Sequence, residues 1–216
     1  MFNFKNPFKK EEEKKEEVKI EDSIFNPLKV YCGDFVEVNT IDESLTFTVS
    51  EIIEYSRILS EITFKFTDYR LEDNDKVWIL RLNPTKSISL VNDSKDCDIL
   101  LMKLFFEGEF EEGIQAAAKC KEFNKHNEDG TKISYYALHA GENGYKSNLK
   151  VISLPKNINH KTIKYWDFYR DPNIELGELF AGQVFLFVEI DQNDGFITMW
   201  EGHVIFNSDI KTYRKN

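Results

Sequence analysis

Two carboxylates stand in surroundings that ordinarily exclude charge. Asp167 lies within Tyr165-Trp166-Asp167-Phe168-Tyr169, and Glu189 within Val184-Phe185-Leu186-Phe187-Val188-Glu189-Ile190. Burial disfavours the charged form of a carboxyl group and raises its pKa, which is the condition general acid–base chemistry needs. Glu201 and His203 are two apart, so a strand continuing through Gly202 would turn both to one face. Meeting in one concave pocket, these four residues would support a hydrolase-type reaction on strand carboxylates. The structural alternative is that they face solvent or defend an edge strand. With 38 acidic residues in the chain, some fall in strands by chance.

Other chemistries find less support. His126, His139, His160 and His203 share no H-x-x-x-H or H-E-x-x-H spacing, and no C-x-x-C pair accompanies them. Asp191-Gln192-Asn193-Asp194-Gly195 resembles the start of a calcium loop, but its glycine comes one position early and Gly202 occupies the place of the bidentate glutamate. It reads as a hairpin turn. Asp96 and Asp98 flank Cys97 and oppose thiolate formation, while Cys32 and Cys120 have no local partner. No G-x-S-x-G elbow occurs, and Gly141-Glu142-Asn143-Gly144 is neither a dinucleotide fingerprint nor a P-loop. The expectation is therefore no catalytic residue, no cofactor-binding residue, no metal ligand and no cofactor.

The elements that would position these groups are strands. After a charged flexible leader over 1–25, alternating runs at Asp34–Val38, Leu45–Ser56, Ile62–Tyr69 and Val77–Leu82 predict successive antiparallel strands joined by short polar turns. Thr63, Lys65 and Thr67 alternate with Phe64 and Phe66, so one face of that strand should be wet and the other buried. Asn83-Pro84 ends the run, since proline cannot continue a paired central strand. The reading is a small barrel-like unit over 26–91 and a larger antiparallel sheet over 95–216. Asp98–Phe110 fits a helix or a bulged strand. Glu111–Phe123 fits one short helix, although Gly113 weakens its start. Strands follow at Ile133–Leu138, Leu149–Leu154, Ile163–Arg170, Gln183–Ile190 and Phe196–Trp200. The fold class is mainly β with minor α.

Composition narrows the function. A formal net charge of -10 disfavours nucleic-acid binding, which needs a basic face. No apolar run reaches the roughly 18–20 residues of a membrane span, and the start lacks the apolar centre of a secretory signal. An odd cysteine count without framework spacing suits a reducing, cytoplasmic setting. In the leader, Phe2, Phe4 and Phe8 interleave with Lys5, Lys9 and Lys10, a pattern for weak contact with a membrane surface. Pro7 and the mixed charge of the following block favour a simple tether.

One resemblance bears on function. Asn26-Pro27-Leu28-Lys29-Val30-Tyr31-Cys32-Gly33-Asp34-Phe35-Val36-Glu37-Val38, Tyr69-Arg70-Leu71-Glu72-Asp73 and the later strands Tyr165–Arg170 and Phe185–Ile190 are similar to the YjfK-like family of bacterial cytosolic proteins. The resemblance implies protein contacts linked to envelope stress and carries over no functional residue. Cys32 and the segment Gly108–Gly144 depart from the pattern. The expectation from sequence is a non-enzymatic, cytoplasmic adaptor that holds a protein partner on a sheet face or edge. The alternatives are the carboxylate enzyme and a membrane-peripheral protein anchored by its leader.

Overall fold

The structure, a computed structural model, describes residues 24–40, 43–59, 62–74, 76–85, 90–91, 93–109, 122–126, 129–137, 144–154, 157–170 and 184–215. Twelve strands run through them: β1 (Phe35–Asn39), β2 (Ser44–Leu59), β3 (Ile62–Asp73), β4 (Lys76–Pro84), β5 (Cys97–Gly108), β6 (Glu122–His126), β7 (Lys132–Ala137), β8 (Tyr145–Ser153), β9 (Asn157–Tyr169), β10 (Val184–Asp191), β11 (Ile197–Ile205) and β12 (Ile210–Tyr213). The chain is mainly β, and no α-helix occurs among the described residues. The helix expected over Glu111–Phe123 lies outside them up to position 121. Its last two residues, Glu122 and Phe123, open strand β6. The leader up to residue 23 and His139 and Cys120 also lie outside the described residues.

The ambiguous run at Asp98–Phe110 is a strand. It carries a bulge, since Met199 pairs with Phe106 and Trp200 with Leu104, leaving Phe105 extra. That one residue explains why the run shows no clean period of two. Pro84 is the last residue of β4, as its missing N–H requires. The turn after β10 is the expected hairpin: Gly195 has φ +74°, and the Asp191 and Asp194 carboxylates accept from the Asn193 and Phe196 amides. One oxygen of each aspartate is thus engaged by the turn's own amides.

Two four-stranded meanders, β2-β3-β4-β5 and β8-β9-β10-β11, close on each other along the β2–β8 and β5–β11 seams. The result is a closed antiparallel barrel of eight strands. Along the edge away from β3, β2 serves two neighbours. Its first half pairs with β1 and its second with β8, and a bulge between Val49 and Glu51 separates the two. The boundary drawn from sequence near 91–95 separates β4 from β5, which are hydrogen-bonded neighbours in one meander. Strands from both expected units thus share one continuous sheet.

Alternation sorts each strand into an inward and an outward face. Outside β2–β5, Ile24, Val30, Val36 and Val38 cover Tyr69, Leu71, Leu80, Leu82 and Leu101. The segment before β1 is fastened there: the Phe25 amide donates to Glu54 at 2.7 Å, and the Tyr69 hydroxyl donates to Asn26 at 2.7 Å. Outside β9–β11, the β6–β7 hairpin lays Tyr135 against Trp166, Phe168, Leu186 and Met199. Inside, Tyr55, Ile79, Met102, Leu149, Tyr165, Phe187 and Trp200 fill the barrel. The inward face also carries charge.

Candidate functional site

The centre of the barrel holds a buried ion pair. Asp68 on β3 and Arg81 on β4 are register partners, 1% and 3% exposed, and join through two parallel hydrogen bonds of 2.7 Å each. A fork-to-fork pair of this kind supplies the directional bonds that offset desolvation of both charges. The Arg81 guanidinium lies 3.6 Å from the centre of the Phe187 ring, 4.5 Å from Phe66 and 5.2 Å from Tyr55. Tyr55 stacks on Phe66 with ring centres 4.3 Å apart. Burial alone would lower the Arg81 pKa, but the Asp68 charge and hydrogen bonds outweigh it and hold the guanidinium charged. Tyr55, Phe66, Arg81 and Phe187 form a plug, with a cavity beyond it at each end.

The first cavity, about 250 Å³, opens at the end where β2 runs into β3 and β9 leaves towards β10. Its walls are aromatic: Phe64, Phe66, Tyr145, Tyr165, Tyr169 and Phe185. Arg57 stands at its mouth, its guanidinium 4.2 Å over the Tyr145 ring and 5.1 Å over Phe64. Arg57 Nη1 donates to the Tyr165 hydroxyl at 3.1 Å. Among the described residues no carboxylate lies within ion-pair distance of Arg57. Asp167 faces the same space with a third of its side chain exposed, and its Oδ1 is 3.9 Å from Arg81 Nη1, too far for a hydrogen bond. Burial raises the Asp167 pKa, with Arg81 and Arg57 pulling against it. The mouth therefore offers a rigid donor fork and, across from it, a carboxyl group with acceptor capacity to spare.

The second cavity, about 310 Å³, opens at the opposite end, beside the β3–β4 and β10–β11 turns. Glu189 forms part of its floor. Glu189 Oε1 accepts from the Tyr55 hydroxyl at 2.5 Å, and the Trp200 side chain also hydrogen-bonds the carboxylate. Burial pushes the Glu189 pKa up to about 7, against the opposing pull of Arg81 and the Tyr55 hydrogen bond.

The four residues singled out from sequence are thus not assembled in one pocket. Asp167 and Glu189 both point inward but open at opposite ends, with the plug between them. Glu201 and His203 lie on the outer face of β11. Glu201 accepts from Lys125 at 2.8 Å and from the Tyr135 hydroxyl, which together outweigh burial and lower its pKa. Burial lowers the His203 pKa, with Lys103 adding to the effect. Burial raises the Cys32 pKa to about 11, the wrong direction for a nucleophile. No cluster of three or more metal-ligating side chains occurs among the described residues.

The sequence reading missed Arg57, Asp68 and Arg81. A signal was present. The alternation places Phe64 and Phe66 on a buried face, and Asp68 is next in the same series. Arg81 interrupts Trp78-Ile79-Leu80-Arg81-Leu82 as Asp167 interrupts its own strand. Comparison of the chain with protein families, curated proteins and solved structures gives no match.

Proposed function

We propose that the barrel is a small-ligand binding module, and that its Arg57 end takes up a flat, apolar molecule bearing an anionic group. The observation that carries this reading is Arg57 itself. It is a guanidinium pre-set between two rings at the mouth of an aromatic cavity, without a carboxylate partner among the described residues. Arg81 is already neutralised by Asp68 and Lys65 pairs with Glu54 at 2.9 Å, so among the described residues lining this cavity Arg57 is the cation left for a ligand. An eight-stranded barrel is wide enough to hold one small ligand where side chains do not fill it. The cavity is just below the ~300–1,000 Å³ typical of drug-sized ligands, which suits a metabolite with a single ring. Asp167 adds selectivity by favouring a ligand that also presents an N–H or O–H donor.

The adaptor expectation calls for an exposed apolar patch, or a cleft between the two units, without converging titratable groups. Arg57, Arg81, Asp68 and Asp167 do converge, which favours ligand uptake over a flat protein contact. A general acid–base reading needs two groups on one substrate, and Asp167 and Glu189 face different cavities.

Titration with 4-hydroxybenzoate, followed by amide chemical shifts, tests the proposal. Saturable shifts should map to Arg57, Tyr145 and Tyr165. A charge-assisted hydrogen bond contributes about 1.5–3 kcal/mol, so R57Q should weaken binding roughly 10- to 100-fold. The matched neutral amide should bind as weakly to the wild type. Equal binding of acid and amide, or shifts mapping away from this mouth, would overturn the reading.

A further inference from the structure

The cavity at the other end of the barrel differs in chemistry and owes nothing to Arg57. Its walls are aliphatic, from Ile53, Leu149, Val151 and Ile163, with the Trp200 indole alongside. Its floor carries Glu189, whose hydrogen-bond donors, the Tyr55 hydroxyl and the Trp200 side chain, are both uncharged. Two donors leave acceptor sites open on a carboxylate that can take about four. The charged groups facing Glu189 from its neighbours are Arg81 and Asp68, which are bound to each other across the plug.

Among the described residues the rim does not supply the missing cation. Arg70 lies 3.8 Å from Glu51 and 3.3 Å from Glu72, and Lys161 pairs with Asp191 at 3.4 Å. Both basic residues that line this cavity among the described residues are thereby committed. Glu107 and Asp194, which line it as well, form no ion pair among the described residues. A metal ion would want several hard oxygen ligands converging on one point. The described residues hold no such group. What fits is a single positive charge on a hydrocarbon body.

We propose that this cavity is a second, separate site that binds a small organic ammonium ion, its N–H groups on Glu189 and its hydrocarbon part against Ile53, Leu149, Val151 and Ile163. The cation replaces the counter-ion that the fold leaves out, and the Trp200 face adds a cation–π surface. Binding requires the carboxylate form, so it should expel the proton Glu189 holds near neutral pH. Because burial raises the Glu189 pKa to about 7, the sites that are protonated near neutral pH give up that proton on binding. Affinity should rise with pH through that point for as long as the amine stays charged.

Phenethylamine is the probe, with phenethyl alcohol as its neutral twin. Calorimetry in buffers of different ionisation enthalpy should report proton release on binding the amine and none with the alcohol. The Trp200 indole N–H resonance should shift on saturation, and E189Q should weaken amine binding at least ten-fold and abolish proton release. Glutamine keeps the shape and can still accept from Tyr55, and a single cooperative melting transition will show that it folds. R57Q should leave amine binding unchanged, which separates this site from the one at the opposite mouth. The proposal fails if E189Q binds the amine as well as wild type does, if no proton is released, or if the alcohol binds equally.

Discussion

At the scale of single residues, the interior is governed by charges held where water is scarce. Asp68 and Arg81 depend on each other: removing one partner leaves the other buried and unpaired, at a cost of about 3–5 kcal/mol. D68N should therefore lower the urea midpoint strongly. The double variant D68L/R81M, which replaces both charges with apolar groups, should recover most of that loss. If D68N unfolds at the wild-type midpoint, the pair does not hold the plug together. Glu189 makes a second prediction, through pH. Its carboxyl pKa rises from 4.5 to about 7 in the folded state because burial penalises the charge. The folded protein thus keeps a proton that the unfolded chain releases between these values, and linkage makes stability fall as pH rises through them. The contribution is fully present below about pH 4.5 and lost by about pH 7. E189Q cannot titrate, so the wild-type stability minus that of E189Q should decline across this window, by an amount on the order of 1–3 kcal/mol. Denaturation series at pH 4.5, 5.5, 6.5 and 7.5 would show it, and a constant difference would contradict the buried assignment.

At the scale of elements, the seams matter more than the individual strands. Gly202 on β11 sits opposite Met102 on β5, and a Cβ there would lie 2.2 Å from the Leu101 carbonyl oxygen and 2.5 Å from Met102 Cγ. The obstacle includes backbone, so it cannot swing aside. G202A should destabilise by about 1–3 kcal/mol or more, measured by thermal melting, because overpacking forces the seam apart. Melting like wild type would mean that the seam yields. The strands themselves were legible from sequence, because Val, Ile, Phe and Tyr alternate with polar residues between short turns. β2, β3, β4, β10 and the β10–β11 hairpin follow directly from that pattern. Which strand pairs with which did not follow. The β2–β8 and β5–β11 contacts join residues about a hundred positions apart, and no local propensity encodes them. The bulge at Phe105 hid the strand β5 behind a broken period. For the same reason the site was half visible. Asp167 and Glu189 announced themselves as charges in apolar runs, while Arg57 gains meaning only when barrel closure brings Tyr145 and Tyr165 of the second meander beside it.

At the scale of the whole molecule, closure turns two meanders into one object with two distinct ends. The Arg57 end presents a donor fork within aromatic walls, and the Glu189 end presents a carboxylate within aliphatic ones. The plug of Tyr55, Phe66, Arg81 and Phe187 keeps them apart. The same closure dictates how the protein unfolds. Each meander alone has two open edges and one apolar face with nothing to cover it, a poor basis for independent stability. Among the described residues the inward face of β2–β5 is buried against β8–β11, since the interior cluster joins Tyr55, Ile79 and Met102 to Leu149, Tyr165 and Phe187. Opening either seam exposes that cluster to water from both sides. The barrel should consequently unfold as one unit, with far-ultraviolet circular dichroism and tryptophan fluorescence tracing a single coincident transition in urea. Trp78 reports on the first meander, and Trp166 and Trp200 report on the second, so the fluorescence covers both halves. Expressed alone, residues 26–91 should show no cooperative transition, because that span lacks β5 and every strand of the second meander. Two resolved transitions in the full chain, or a cooperative fold in the 26–91 fragment, would show that the halves are separate domains that merely share hydrogen bonds. The two ligand sites would then belong to independent modules, whereas a single transition makes them opposite faces of one folding unit, so that saturating either end raises the midpoint for the whole molecule.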